Sequence, residues 1–231
     1  MTARVLIVDD HKLVASGLQL ALQARGWDAE VASGPTAAAI VEIARTFAPQ
    51  CVLLDLHLGD VGSGLDFVVP LRDMGAAVVL LTSEIDRNVL ASALEAGVEG
   101  WISKSAYVDE VVVAVEDVLA GRSLIGRTAK EQMLEELRLW RADLHHAMSP
   151  FERLTLRERE VLAAMIDGLS AEDIAAMQTV SLATVRSQIR AVLQKLGVHS
   201  QLAAVATATR AGWLPGAAAN SSIVTKPPAR R

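Results

Sequence analysis

Five short apolar runs recur along the first half of the chain: VLIV (5–8), WDAEVA (27–32), CVLLD (51–55), AVVLLT (77–82) and GWIS (100–103). Each is parted from the next by an amphipathic stretch of helical length, and this alternation is the strongest constraint on the fold. A strand followed by a helix-length crossover pairs in parallel with the next strand, and the helices then cover both faces of the sheet. The first, third and fourth runs are apolar at nearly every position, as strands buried on both faces must be, and are predicted to be central. Gly26, Gly97 and Gly121 stand where helices stop, and Pro35 where one begins its first turn. Residues 1–124 are therefore predicted to form an α/β domain of five parallel strands doubly wound by five helices.

The remaining chain reads as helical throughout. RTAKEQMLEELRLWRADLHHAM carries Met133, Leu137, Trp140, Leu144 and Ala147 at alternating spacings of four and three, a narrow stripe about two heptads long. Such a stripe either packs on one of the chain's own domains or pairs with its copy in a dimer. Pro150 is predicted to end this helical linker, which spans residues 125–150. From Phe151 to Leu214 the punctuation divides four helices: Gly168 stops the first, Ser170 and Ser181 cap the second and third, Gly197 stops the third, and Ser200 caps the fourth. Residues 215–231, with NSSIVTKPPARR, are predicted to be a disordered tail.

A length of 231 residues suits two domains, each with its own core. No apolar run approaches the roughly 20 residues of a membrane span, and Met1 leads into a strand-like segment without a basic leader, so the expectation is a cytoplasmic protein without membrane contact. The single cysteine, Cys51, lies inside an apolar run and reads as a buried thiol. Charge is distributed unevenly. Residues 1–126 hold 8 Lys/Arg against 17 Asp/Glu, residues 127–150 hold 4 against 4, and residues 151–231 hold 10 against 6. A basic segment on an acidic protein points to a polyanion partner for that segment alone.

In an open parallel sheet, functional groups gather beyond the carboxyl ends of the strands, where strand order reverses. Here the first run ends in Asp9 and Asp10, the third in Asp55, the fourth in Thr82 and the fifth in Lys104. Three converging carboxylates repel one another unless a cation neutralises them, and Mg2+ suits hard oxygen ligands. Lys104 as a point charge and Thr82 as a hydrogen-bond donor complete a site for a tetrahedral anion. No histidine or cysteine base ends a strand, so hydrolytic machinery is not indicated.

VLIVDDHKLV, CVLLDLHLGD, VVLLTS and GWISKS, in this order, resemble the receiver domain of a two-component response regulator, from residue 3 to about 121. The resemblance implies a (βα)5 flavodoxin-like fold in which Asp55 accepts a phosphoryl group from a histidine kinase. It further implies that Asp9, Asp10, Asp55 and the backbone carbonyl of His57 bind Mg2+, and that Thr82 and Lys104 contact the phosphoryl oxygens. Thr82 and Trp101 would form the switch that follows phosphorylation. Two positions depart from the family pattern: Gly59 stands where a proline usually follows the phosphoacceptor, in a loop one residue longer, and Ser105 stands where a proline follows the lysine.

In the third C-terminal helix, Leu182, Val185, Ile189, Val192 and Leu196 form one apolar stripe, opposite Ala183, Arg186, Ser187, Arg190 and Gln194. Two arginines, a serine and a glutamine on one face suit a major groove, and equally an ordinary solvated surface. LTLREREVL, the Gly168-Leu169-Ser170 turn, Thr184-Val185-Arg186 and Lys195-Leu196-Gly197-Val198 resemble the LuxR-type helix-turn-helix domain; joined to a receiver this is the NarL/FixJ arrangement. The resemblance implies base recognition by Arg186, Ser187 and Arg190 with Gln194 on the same face, phosphate contacts from Thr184 and Lys195, and a dimer helix presenting Leu202, Val205 and Ala206. Gln178 and Gln188 depart from the usual leucine and histidine. The expected protein is thus a transcription factor rather than an enzyme. Its expected partners are a histidine kinase, a double-stranded DNA operator, a second copy of the chain once activated and, at the promoter, RNA polymerase. Two other readings stay open: a receiver controlled by a ligand or partner without phosphorylation, and a Mg2+-assisted enzyme on a flavodoxin-like sheet, which lacks an evident general acid or base.

Overall fold

The computed structural model describes residues 2–83 and 86–214. All five predicted strands form: β1 (Arg4–Val8), β2 (Asp28–Val31), β3 (Cys51–Asp55), β4 (Ala77–Thr82) and β5 (Gly100–Ser103). They pair in parallel in the order β2-β1-β3-β4-β5, so the three wholly apolar runs are the interior strands. The crossovers are α1 (Lys12–Ala24), α2 (Ala37–Phe47), α3 (Leu65–Asp73), α4 (Arg87–Ala96) and α5 (Val108–Leu119). From β1 the chain steps outward to β2, then returns to β3 on the other side. Strand order therefore reverses between β1 and β3, and a crevice opens beyond their carboxyl ends.

Every residue of β3 is buried, and Val5, Ile7, Cys51, Leu53, Val79 and Leu81 pack under α1 and α5. Each such side chain taken from water contributes roughly 1.5–3 kcal/mol. Burial, with Glu99 adding repulsion, pushes the Cys51 thiol up to about 12, which makes it an inert core residue. Pro35 precedes the helix instead of entering its first turn. Thr36 is the cap, its hydroxyl accepting from the Ala39 N–H at 3.3 Å, because a hydroxyl can satisfy an open N–H and a pyrrolidine ring cannot.

The linker helix α6 (Arg127–Glu152) runs past Pro150, which lies in its last turn. Met148 and the buried Phe151 pack into the C-terminal core and hold that turn, so the hydrogen bond that Pro150 forgoes does not end the helix. Two compact units divide between Arg138 and Leu139. In the first, Met133 and Leu137 are buried and Glu136 receives two hydrogen bonds from the Arg87 guanidinium, at 2.8 and 3.2 Å. The leading half of the apolar stripe thus packs on its own domain, whereas Leu144 and Ala147 are exposed.

The second unit holds α7 (Leu156–Ile166), α8 (Ala171–Gln178), α9 (Leu182–Leu196) and α10 (Gln201–Ala211). Thr155, Ser170, Ser181 and Ser200 cap them, each accepting from the backbone N–H three residues on. A cap of this kind contributes about 1 kcal/mol. Gly197 takes the left-handed conformation that closes α9, as its place in the sequence predicts. Val185, Ile189, Val192 and Leu196 enter a core with Phe151, whose ring stacks on Trp213 at 5.7 Å. The predicted tail, 215–231, lies outside the described residues.

Candidate functional site

Asp9 and Asp10 follow β1 immediately, Asp55 ends β3, and Lys104 follows β5, so four side chains from three strands meet at the reversal point. Lys104 Nζ lies 2.6 Å from Asp55 Oδ2 and donates to Asp9 Oδ1 at 3.0 Å. The side chains of Asp9 and Asp55 are all but fully buried, and that of Asp10 is half-exposed. Burial pushes the Asp55 carboxyl above its ordinary value, with Asp9 adding repulsion; the hydrogen bonds from Lys104 and the His57 N–H offset only part of this. For Lys104, burial alone would favour loss of the proton, but the hydrogen bonds to Asp55 and Asp9 outweigh it and raise its pKa.

The loop after β3 presents Asp55 by a specific path. The chain makes a 3₁₀ turn over Gly59–Val61, Leu58 N–H closes on the Gly62 carbonyl at 3.0 Å, and Gly64 N–H returns to the Leu56 carbonyl at 2.8 Å. A side chain at Gly64 would collide with the Asp55 carbonyl, so only glycine admits this approach. Gly59 adopts a left-handed φ of 55° beside Asp10 Oδ2. The Lys104–Ser105 peptide is trans, and the Ser103 and Ser105 hydroxyls lie 2.7 Å apart.

Thr82 is buried at the end of β4, where it pairs with Ser103, and Trp101 pairs with Leu80. Side chains alternate along a strand, so Thr82 and Trp101 share one face of the sheet. Trp101 is half-buried and His57 is exposed. Sequence reasoning missed His11. Its ring Nδ1 lies 2.6 Å from Asp10 Oδ1, 3.2 Å from Asp9 Oδ1 and 3.8 Å from Asp55 Oδ2. The signal available was its place beside the paired aspartates.

These residues can hold a divalent cation. Asp9, Asp10, His11 and Asp55 each offer a ligand atom, all within 4.8 Å of one another. Buried Asp9 Oδ2 accepts no hydrogen bond, although Lys104 Nζ is 2.9 Å away. An oxygen-rich set with an unsatisfied buried carboxylate oxygen fits Mg2+.

In the C-terminal unit, Arg186, Ser187, Arg190 and Gln194 all lie on the exposed face of α9. Thr184 is exposed too, and its hydroxyl lies 2.8 Å from that of Ser181. Arg186 reaches Glu172 at 3.5 Å, an exposed pair. Lys195 is engaged within the domain: its Nζ donates to Glu158 Oε2 at 2.6 Å. On α10, Leu202 is 80% exposed, Ala206 is exposed and Val205 is half-buried.

A parallel sheet with an acidic pocket at its switch point, carried on one chain with a helix-turn-helix, defines a receiver joined to a DNA-binding module. Residues 5–116 match the response regulator receiver domain, and residues 152–208 match the bacterial regulatory proteins of the luxR family. The nitrate/nitrite response regulator protein homolog of Haemophilus influenzae is 30% identical over 203 residues, 87% of this chain and 93% of that protein. The probable transcriptional regulatory protein NarL of Mycobacterium tuberculosis is 30% identical over 208 residues, 90% and 94% of the two chains. A response regulator of the LuxR family from Aurantimonas sp. SI85-9A1 has a solved structure with 29% identity, covering 60% of this chain and 99% of that one, at a TM-score of 0.49. The chain belongs to the response regulators of the NarL/FixJ type, with a receiver domain and a LuxR-type helix-turn-helix domain. Its role is transcription regulation. Among the described residues no helix is long and apolar enough to cross a membrane.

Proposed function

We propose that a histidine kinase transfers a phosphoryl group to Asp55, and that this transfer controls dimerisation and sequence-specific binding to DNA. One observation carries the reading: Lys104 Nζ holds the buried carboxylates of Asp55 and Asp9 together at the strand-order reversal. In the transfer, Asp55 attacks phosphorus in line, an O–P bond forms, and the N–P bond to the kinase imidazole breaks. Mg2+ bound by Asp9, Asp10, Asp55 and the His57 carbonyl would offset charge on the phosphoryl group. The chain's own residues do the rest. β3 burial fixes the direction of the Asp55 carboxylate, and Lys104 and Thr82 offer charge and hydrogen bonds to the incoming oxygens. Phosphorylation replaces the single charge of the Asp55 carboxylate by a phosphoryl group carrying roughly −1.5 to −2, a net gain of up to about one negative charge where Lys104 now bridges two carboxylates. Thr82 moving toward that charge vacates space on the face it shares with Trp101, and the packing event passes to the surface of the domain.

The receiver spans residues 1–124, the linker 125–150 and the DNA-binding domain 151–214. Arg87 begins α4, directly after the Thr82 strand and its loop, and its tie to Glu136 joins that region to the linker helix. Two activated copies meet through Leu202, Val205 and Ala206 and set two copies of α9 on an inverted-repeat operator. Arg186, Ser187, Arg190 and Gln194 read base edges there, Thr184 and Lys195 contact phosphate, and RNA polymerase is the neighbouring partner at the promoter. The protein acts in the cytoplasm. Labelling with acetyl phosphate in Mg2+ tests the first step: Asp55→Asn should label not at all, and labelling equal to wild type removes Asp55 from its role. Sedimentation and operator binding with and without a phosphoryl mimic, in one salt, test the second; equal affinity in both states rejects control by phosphorylation.

A further inference from the structure

We propose that the Ser103 hydroxyl is a positioning group for Lys104: it ties the turn that carries the lysine, so that the ammonium meets the oxygens of a phosphoryl group arriving at Asp55. The inference rests on reading Asp55 as the phosphoacceptor.

Ser103 ends β5, and each backbone N–H of the turn that follows has a defined partner. Lys104 N–H donates to the Thr82 carbonyl at 3.1 Å, and Ala106 N–H donates to the Ser103 carbonyl at 2.9 Å. Between them, the Ser105 N–H donates to the Ser103 hydroxyl at 3.2 Å, and the hydroxyls of Ser103 and Ser105 lie 2.7 Å apart. Tyr107 N–H then donates to the Glu110 carboxylate at 2.8 Å, and α5 begins. A serine hydroxyl that accepts the N–H two residues on closes a small ring around the residue between them. Here that residue is Lys104. A proline at 105 would stiffen the chain by its own ring and would have no N–H to donate. With Ser105 in a trans peptide, the Ser103 hydroxyl takes over that task by bonding across the lysine.

The tip of Lys104 is held as firmly as its root, by Asp55 at 2.6 Å and Asp9 at 3.0 Å. An incoming phosphoryl group draws the tip away from those carboxylates. The root then decides which oxygen the ammonium reaches, because a flexible four-carbon stem separates the two ends of a lysine. A fixed root narrows the search to productive geometries. Both serines are exposed, so water can replace either hydroxyl at little cost in stability. The effect of the hydroxyl bond falls on the placement of Lys104.

The test uses the full-length chain, acetyl phosphate in Mg2+, and Asp55→Asn as the blank. Ser103→Ala should label about three- to tenfold more slowly than wild type, bind Mg2+ at least as tightly, and melt within about 2 °C of it. Ser103→Thr, which keeps the hydroxyl, should label at the wild-type rate. Amide exchange reads the turn directly: the Ser105 amide should exchange faster in Ser103→Ala and as in wild type in Ser103→Thr. The proposal is overturned by a wild-type labelling rate in Ser103→Ala, by slow labelling in Ser103→Thr, or by Mg2+ binding that weakens in step with labelling, the mark of a general distortion. An unlabelled wild type removes Asp55 as phosphoacceptor and this role of Ser103 together. A labelled wild type matched by Ser103→Ala removes Ser103 alone.

Discussion

Lys104 joins two strands that are not neighbours of its own: its Nζ lies 2.6 Å from Asp55, at the end of β3, and 3.0 Å from Asp9, just beyond β1. One ammonium shared by two buried carboxylates leaves an excess of negative charge, and burial raises the Asp55 pKa despite the contact. A carboxyl with a folded pKa above its unfolded value binds its proton more readily when folded. Stability therefore falls as pH rises from the ordinary carboxylate range through the folded value, and the cost is present in full above it. Asp55→Asn removes that cost and keeps an oxygen for Lys104. Its melting temperature at pH 7 should exceed that of wild type by roughly 2–6 °C, with the gap closing as pH falls toward 4. Scanning calorimetry across that range checks both the sign and the window.

The loop after β3 offers a contrast between two glycines. Gly64→Ala drives a methyl into the Asp55 carbonyl and should cost about 2–3 kcal/mol while displacing the carboxylate. Gly59→Ala meets strain at a φ of 55° but only the Asp10 side chain in space, and should cost about 1 kcal/mol. Urea unfolding of the two variants, followed by cation titration, distinguishes a displaced site from a merely less stable one.

Much of this architecture was legible because periodicity reports burial directly. The runs through Leu6, Leu53 and Val79 are apolar because both sheet faces are covered, and the serines at 170, 181 and 200 mark helix starts because only a side-chain oxygen satisfies the open N–H groups there. The gathering of Asp9, Asp10, Asp55 and Lys104 followed from topology, since parallel strands deliver their carboxyl ends to one edge. Contacts made by side chains across elements were not legible. Nothing in a one-dimensional pattern turns His11 over the carboxylates, ties Arg87 to Glu136 or commits Lys195 to Glu158, because those depend on rotamers and on helix rotation. Pro150 misled for a related reason: its cost is local, whereas the burial of Phe151 that outweighs it is tertiary.

Gln178 and Gln188, the two departures from the helix-turn-helix pattern, each bury a polar atom without a hydrogen bond, Nε2 in the first and Oε1 in the second. An unsatisfied buried donor or acceptor costs about 1–3 kcal/mol, and replacing it by an apolar group of similar shape recovers part of that. Gln178→Leu and Gln188→Met should each stabilise the C-terminal unit by about 1 kcal/mol. Amide exchange in α8 and α9, read by mass spectrometry, would slow in both variants; faster exchange means that each glutamine is satisfied in solution.

Glu158 closes the capping box of α7 and also receives Lys195 from α9, so one carboxylate joins the first and third helices of the DNA-binding domain. Burial alone would raise its pKa, but the Lys195 ammonium and the backbone N–H and hydroxyl of Thr155 outweigh this and hold it below 4.5. For a depressed carboxyl the stabilisation is present above the unfolded value and is lost as pH falls through the folded one. Glu158→Gln should therefore destabilise the C-terminal unit by about 1–2 kcal/mol at pH 7, with the difference fading as pH falls through the depressed folded value of Glu158. Lys195→Gln should cost a similar amount, and the double variant less than the two together, because both remove one interaction. The same pair bears on DNA. If Lys195 leaves Glu158 for phosphate, Glu158→Gln frees it and tightens non-specific binding at low salt; if Lys195 stays, the affinity and its salt slope match wild type. Fluorescence anisotropy of a labelled duplex over a salt series, run beside the denaturation curves, decides between the two.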